Sequence, residues 1–151
     1  MAMTMNGEYE LSVPPQAVWE KLNDAATLKA CIPGCEQLDK TSDTEFQAVA
    51  TVKIGPVKAK FKGRVTLSDL DPPNGYKISG QGDGGVAGFA KGGATVKLAP
   101  KNGGTLLSYN VDAQIGGKLA QLGQRLVNGA AKTIADDFFA NFANAVNPKA
   151  A

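Results

Sequence analysis

The stretch EFQAVATVKIGPVKAKFKGRVTL, residues 45–67, sets the expected architecture, because apolar or small side chains alternate with polar ones along most of it. A period of two residues is typical of a strand with one buried face. The inward positions before Gly55-Pro56 are Phe46, Ala48, Ala50, Val52 and Ile54, and those after it are Val57, Ala59, Phe61, Gly63, Val65 and Leu67. The stretch therefore predicts two strands joined by a tight turn at Gly55-Pro56.

Further strands are predicted on the C-terminal side, at YKISGQGDG (76–84), ATVKLAP (94–100) and TLLSYNVDAQI (105–115). Turn residues separate them, in DPPNG (71–75) and at Asn102-Gly103-Gly104. After Gly116-Gly117 the apolar period becomes helical, and it predicts one helix of up to about 28 residues, roughly 40 Å long. Its apolar stripe is Leu119, Leu122, Leu126, Ala130, Ile134, Phe138, Phe142 and Val146.

On the N-terminal side, EYELSV (8–13) alternates and predicts a strand. Pro14 and Pro15 suit the first turn of a helix that continues through QAVWEKLND, and ATLKAC predicts a second short helix. The whole chain, residues 1–151, is expected to be one α+β domain with an ordered core at about 5–146. A curved antiparallel sheet of six or seven strands would wrap around the long C-terminal helix.

The amino-acid composition excludes several kinds of catalytic and metal site. The chain has no histidine, so Ser-His-Asp and Cys-His nucleophiles and zinc sites built on histidine are excluded. A net charge of +2 is too weak to indicate nucleic acid. No apolar run approaches the roughly 18 residues that cross a bilayer, and the first ten residues lack a secretory pattern, so we expect a cytoplasmic protein. No catalytic constellation is visible, and neither a cofactor nor a metal is predicted.

The inward faces of the predicted strands carry unusually small residues: Ala48, Ala50, Ala59, Gly63, Gly80, Gly82, Ala94 and Ala113. A core packed to native density would normally have larger side chains there. Either the terminal helix sits hard against the sheet, or an apolar cavity lies between them, and we favour the cavity. Its predicted lining is Trp19, Leu28, Ile32, Phe46, Phe61, Phe89, Tyr109, Leu122 and Leu126.

Two further stretches have a structural and a functional interpretation. Lys58, Lys60, Lys62 and Arg64 form a basic row on the outer face of one strand, which is either a solvated face or a docking face for an acidic partner or anionic lipid. The stretch GQGDGGVAGFAKGG, residues 80–93, lacks the Gly-Lys-Ser/Thr ending of a phosphate loop. It is better interpreted as a mobile flap, with Val86 and Phe89 at its tip, that could gate a cavity.

Both cysteines fall in KACIPGCE, residues 29–36. A cytoplasmic protein rarely holds a structural disulfide, and the pair lacks the further ligands of a metal site. We therefore predict reduced thiols that flank a tight turn of Cys31, Pro33, Gly34 and Cys35, in which Gly34 takes a positive φ. This turn would aim Ile32 into the mouth of the cavity and so shape its entrance.

The stretch VPPQAVWEKLNDAATLKACIPGCEQLDK, residues 13–40, resembles the opening of the G-subunit family of carbon-monoxide dehydrogenase, within the START-like (SRPBCC) helix-grip superfamily. The matching features are Val18 and Trp19, Asp24, and the Cys31–Cys35 turn. VKIGPVKAKFKGRVTL (52–67) and the glycine-rich stretch are similar to the family as well. The resemblance implies a helix-grip fold with a deep apolar cavity and association with a molybdenum hydroxylase of the carbon-monoxide dehydrogenase type.

That family serves a membrane-linked dehydrogenase, so the resemblance also implies peripheral contact with the inner face of the cell membrane. Longer members carry a C-terminal membrane-binding extension, whereas this sequence stops at NPKAA. Three functions follow as hypotheses. The first is a non-enzymatic accessory protein that holds a lipid or an isoprenoid quinone. The second is a cyclase or hydratase that uses Tyr109 or Tyr76 on an aromatic or polyketide substrate. The third is a ligand-free assembly factor that docks through the basic row.

Overall fold

The computed structural model describes residues 2–146, in which seven strands form one antiparallel sheet. The strands are β1 (Ala2–Leu11), β2 (Cys35–Ser42), β3 (Glu45–Ile54), β4 (Val57–Asp71), β5 (Gly75–Asp83), β6 (Phe89–Lys101) and β7 (Gly104–Gly116). The helices are α1 (Pro15–Leu22), α2 (Ala25–Cys31), α3 (Lys118–Gln121) and α4 (Gln124–Val146). The sheet order is β1-β7-β6-β5-β4-β3-β2, and the helices cover one of its faces. The predicted α+β architecture is confirmed.

Strand pairing places small residues opposite one another across the middle of the covered face. Ala48 on β3 faces Gly63 on β4, Gly63 faces Gly82 on β5, and Gly82 faces Ala90 on β6. Because side chains alternate along each strand, all of these residues lie on the same face as the buried Phe46. The centre of this face therefore has little side-chain volume.

The core lies mainly around the C-terminal half of α4. Val18 of α1, Leu107 of β7 and Phe142 of α4 are fully buried there. The Asn141 side chain donates a hydrogen bond of 3.0 Å to the carbonyl of Cys31, which joins α4 to the end of α2. A second, smaller cluster at the other end of the helix includes Val127. The helix is thus held at both ends above a sheet whose middle is lined by small residues.

The terminal helix differs from its prediction. The single helix of up to about 28 residues is wrong, because α3 ends at Gln121 and α4 begins at Gln124. Gly123 between them has a φ of 92°, a left-handed conformation that glycine adopts without a steric penalty. The leucine spacing continues across this break, so the apolar period alone does not reveal it. No helix within residues 2–146 has the length and apolar character that crossing a membrane requires.

The glycine-rich stretch contains more regular secondary structure than the predicted flap. β5 continues to Asp83 and β6 begins at Phe89, so only residues 84–88 form the connection, with one turn of 3-10 helix. The Asp83 carboxylate accepts a hydrogen bond of 2.8 Å from a backbone N–H of this connection. Val86 projects from it with 86% of its surface exposed. The glycines at 80 and 82 are strand residues of β5.

Both predicted short helices are present, but the first ends at Leu22, two residues before the predicted Asp24, and the second begins at Ala25. α1 begins at Pro15, directly after Pro14. Asp24 precedes α2, and its carboxylate accepts a hydrogen bond from the backbone N–H of Thr27, which satisfies a free helix donor. The Thr27 hydrogen bonds lower the pKa of Asp24. Asp24, one of the residues behind the family resemblance, therefore acts as a helix cap.

Candidate functional site

An apolar cavity of about 390 Å³ lies between the sheet and α4. Its sheet wall consists of Met5, Ile78, Ala94, Val96, Tyr109 and Val111. Its helix wall consists of Ala131, Ile134, Ala135, Phe138 and Phe139. Ile32 and Pro33, from the turn after α2, contribute the rest of the lining. Tyr109 carries the one polar side chain among these lining residues.

The cavity exists because small side chains on the sheet lie opposite small side chains on α4. On the sheet, Ala94 lies between Ile78 of β5 and Val111 of β7. On the helix, Ala131 and Ala135 face this space one turn apart. An apolar cavity of about 150 Å³ can bind benzene, so this one has room for a larger ring system or for part of an acyl chain.

Tyr109 sits in a stack of three aromatic rings at one side of the cavity. Its ring lies 5.2 Å from that of Phe139, at an interplanar angle of 15°. Tyr9 stacks on Phe139 at 4.3 Å. Burial, with a smaller effect of the nearby Asp136 carboxylate, raises the pKa of Tyr109. Its hydroxyl is therefore protonated at neutral pH and can donate a hydrogen bond.

The turn between α2 and β2 has the geometry that the sequence predicts. Gly34 has a φ of 76°, and a Cβ at this position would lie 2.2 Å from the carbonyl oxygen of Thr51. The Gly34 carbonyl accepts a hydrogen bond of 2.9 Å from the Thr51 N–H. The turn is thus fastened to β3, and it places Ile32 and Pro33 on the cavity wall.

Both thiols beside this turn are free. Cys31 is 2% exposed, Cys35 is half-buried, and burial raises the pKa of each thiol. The Cys35 thiol donates to the carbonyl oxygen of Gln37 at 3.4 Å. A raised pKa disfavours the thiolate, so neither group has the character of an activated nucleophile.

Four predicted lining residues do not border the cavity. Trp19 contacts the Tyr76 ring edge-on at 5.1 Å. Leu28 and Phe46 belong to the main core. Phe61 belongs to the second cluster, where it lies against the backbone of the residue 84–88 connection.

Three other predicted residues lie elsewhere. Leu122 and Leu126 border a separate open groove of about 640 Å³ at the start of α4, and Leu126 is 41% exposed. Phe89 lies on the outer face of the sheet, against Gly116, and is 47% exposed. The cause is strand alternation, because Phe89 and Ala90 are neighbours on β6 and Ala90 faces inward.

Some lining residues escaped the sequence analysis. Met5 was missed because β1 begins at Ala2, well before the strand predicted from Glu8. Phe139 was missed because it lies beside the predicted stripe, which contains Phe138. Val111 carried a usable signal, since it alternates with Tyr109 in a predicted strand.

The basic row lies on the outer face of β4, where Lys58, Lys60, Lys62 and Arg64 are all exposed. Lys60 Nζ is 3.2 Å from a carboxylate oxygen of Glu36, and this contact lowers the pKa of Glu36. The other three side chains have no such pair among the ion pairs of the described residues.

Comparison with known proteins agrees with this geometry. The family model for the carbon monoxide dehydrogenase G subunit (CoxG) matches residues 7–147. A conserved protein from Geobacillus kaustophilus has a similar structure, with a TM-score of 0.89, 34% sequence identity and 95% of each chain covered. No curated protein matches the chain.

More distant structures share the fold. Ara h 8.0201 is 14% identical, with a TM-score of 0.68, over 97% of this chain and 98% of its own. The Zhui aromatase/cyclase from a Streptomyces species is 11% identical, with a TM-score of 0.70, over 97% of this chain and 94% of its own. These likenesses show a helix-grip fold, as the sequence resemblance implied.

Proposed function

Because the chain belongs to the CoxG family of carbon monoxide dehydrogenase G subunits, we propose that it is a non-enzymatic accessory protein that holds an apolar molecule between its sheet and α4. The proposed ligand is a lipid or an isoprenoid quinone. The observation that carries this proposal is the cavity of about 390 Å³, whose lining surface is apolar. A volume of this size lies within the usual range of ligand pockets.

Apolar contact would supply most of the affinity. A ring system that buries about 200 Å² of apolar surface gains roughly 5 kcal/mol at about 25 cal/mol per Å². Association costs offset much of this gain, so tight binding also requires a tail or a polar anchor. A long isoprenoid tail would leave the cavity and could follow the open groove beside Leu126, which shares Ile134 with the cavity.

A quinone transfer assay tests this proposal. The protein is incubated with vesicles that contain an isoprenoid quinone, separated from them, and extracted with solvent for spectroscopic quantification. We expect bound quinone at up to one molecule per chain, and less in the Ala94→Leu variant, whose added side chain occupies the cavity. Absence of bound quinone or lipid in the wild-type protein would overturn the proposal.

The partner of this accessory role is proposed to be a molybdenum hydroxylase of the carbon-monoxide dehydrogenase type, docked on the basic row. Reversing Lys58 and Lys62 to glutamate should abolish capture of the dehydrogenase, and capture by wild type should weaken with rising salt. Lys77→Glu is the matched control, because Lys77 is an exposed lysine outside the row, 3.3 Å from Asp69. Equal capture by all variants would exclude the row as the docking face.

Peripheral membrane contact is proposed for the end of the molecule at which the open groove beside Leu126 lies. Val86 and Leu126 are exposed apolar side chains at this end, and Lys53 and Arg125 border the same groove as Leu126. Apolar tips flanked by cations suit an anionic headgroup layer. Flotation with vesicles rich in anionic lipid should be lost in a Val86→Asp, Leu126→Asp variant. Unchanged flotation would exclude this surface.

The alternative function is a cyclase or hydratase. The support for it is the similarity to the aromatase/cyclase structure. Such chemistry needs an acid or base in contact with the substrate. Among the residues that line the cavity, Tyr109 is the one ionisable side chain, and Tyr76 packs against Trp19 instead. Turnover of an aromatic or polyketide substrate that is abolished by Tyr109→Phe would favour this alternative.

A further inference from the structure

A second space of about 390 Å³ adjoins the apolar cavity, at the free edge of the sheet. It lies between β1 and the exposed face of α4, and its character is different. The polar side chains that border it include Tyr9, Asn128, Lys132 and Asp136. We call this space the edge pocket.

Met5 and Tyr109 border both spaces, so the edge pocket and the cavity meet at these two side chains. The Tyr109 ring lies over Gly7 of β1, which is its direct partner across the strands. A Cβ on Gly7 would lie 2.8 Å from the Tyr109 hydroxyl oxygen. The absence of a side chain at Gly7 thus lets the Tyr109 hydroxyl reach the edge pocket while its ring remains in the cavity wall.

The Tyr109 hydroxyl lies beside a chain of hydrogen bonds. Tyr9 donates to one carboxylate oxygen of Asp136 at 2.8 Å, and Lys132 donates to the other oxygen at 2.8 Å. The Tyr9 and Tyr109 rings lie 6.3 Å apart. Because the single hydroxyl proton of Tyr9 goes to Asp136, the Tyr109 hydroxyl keeps its own proton for a ligand.

The charges of the edge pocket indicate which ligand group it can accept. Asp136 contributes a negative charge, and Lys132, which is paired with it, contributes a positive charge. An anionic head would have to compete with Asp136 for the Lys132 ammonium. A neutral oxygen that accepts a hydrogen bond avoids this cost.

We propose that the edge pocket holds the neutral, carbonyl-type oxygen of the apolar ligand, and that Tyr109 donates a hydrogen bond to it. This inference rests on the proposed function, since the remainder of the ligand occupies the cavity. Tyr109 is then the residue that selects carbonyl-bearing ligands among apolar molecules of equal size.

Three probes of similar size and different polarity test the proposal: acetonaphthone, ethylnaphthalene and naphthoate. Their dissociation constants are measured by isothermal titration calorimetry with wild type, Tyr109→Phe and Tyr76→Phe. The Tyr109→Phe change keeps the ring and its stacking. Tyr76 is a buried tyrosine on the same face that borders neither space, so its variant is the matched control.

Wild type should bind acetonaphthone more tightly than either other probe. Tyr109→Phe should weaken acetonaphthone binding about five-fold and leave ethylnaphthalene unchanged, since one net hydrogen bond is lost. Tyr76→Phe should bind all three probes as wild type does. Equal weakening of acetonaphthone and ethylnaphthalene by Tyr109→Phe, or tightest binding of naphthoate by wild type, would overturn the inference alone. Failure of all three probes to bind would overturn the proposed function as well.

Discussion

Replacing Ala94 with leucine should stabilise the protein, although the change adds bulk to a half-buried strand residue. Ala94 lies on the cavity wall, between Ile78 and Val111 of the neighbouring strands. The leucine side chain would enter the cavity and take its place among apolar neighbours. The sign of the effect therefore reports whether this space is empty in the free protein.

The magnitude follows from the three added carbon atoms. Each buried CH₂ contributes about 0.8 kcal/mol, which gives roughly 2 kcal/mol of transfer free energy. Ordering a leucine side chain costs about 0.5 to 1 kcal/mol. The expected net gain in the free energy of unfolding is about 1 to 2 kcal/mol.

Urea unfolding measures this gain, with the fluorescence of the single tryptophan, Trp19, as the signal. With a slope of about 2 kcal/mol per M, the midpoint should rise by about 0.5 to 1 M. Ala59→Leu is the control. Ala59 is 8% exposed on the same face of the sheet and does not border the cavity. Its extra bulk has no comparable space, so that variant should lose about 1 to 3 kcal/mol.

The two variants should therefore move the midpoint in opposite directions. If Ala94→Leu lowers the midpoint as much as Ala59→Leu does, the space beneath the sheet is filled by relaxation of α4. The cavity account would then be refuted.

Two other predictions concern the turn after α2 and the alkaline limit of stability. Gly34→Val should cost more than about 3 kcal/mol in urea unfolding, since it adds a clash against the backbone of β3 to a strained positive φ. Cys31→Ala with Cys35→Ala should cost less, about 1 to 3 kcal/mol for the pair, and leave ligand binding intact. An equal loss for both changes would contradict the role of the turn geometry. Burial and the Asp136 hydrogen bond raise the pKa of Tyr9 to about 12 from its ordinary 10.0. The contribution of the protonated Tyr9 to the free energy of unfolding is therefore complete below about pH 10 and is lost as the pH rises through about 12. In unfolding experiments, Tyr9→Phe should reduce this loss of stability above pH 10. An unchanged dependence of the free energy of unfolding on pH would contradict the assignment of this loss to Tyr9.

The strand pattern and the size of its residues were sufficient to predict the architecture. Alternation from Glu45 to Leu67 gave the bounds of β3 and the start of β4, because each strand has one buried face. The small inward residues predicted a space beneath the sheet, but among them only Ala94 borders the cavity that the structure has. Both inferences depend on local spacing, which the sequence states directly.

The lining of the cavity was harder to predict, because it depends on where α4 begins and how it is rotated. The break at Gly123 moves Leu122 and Leu126 to the open groove. The extension of β5 and β6 carries Phe89 to the outer face. The hydrogen bond between Tyr9 and Asp136 joins residues 127 positions apart, and no local pattern indicates such a contact.

The central claim is that the cavity beneath α4 holds an apolar molecule. Native mass spectrometry of the wild-type protein and of Ala94→Leu, each incubated with excess isoprenoid quinone and desalted, tests it most directly. We predict one added quinone mass on the wild-type chain and a clearly smaller bound fraction on Ala94→Leu. An unliganded wild-type chain, or equal occupancy in both proteins, would contradict the claim.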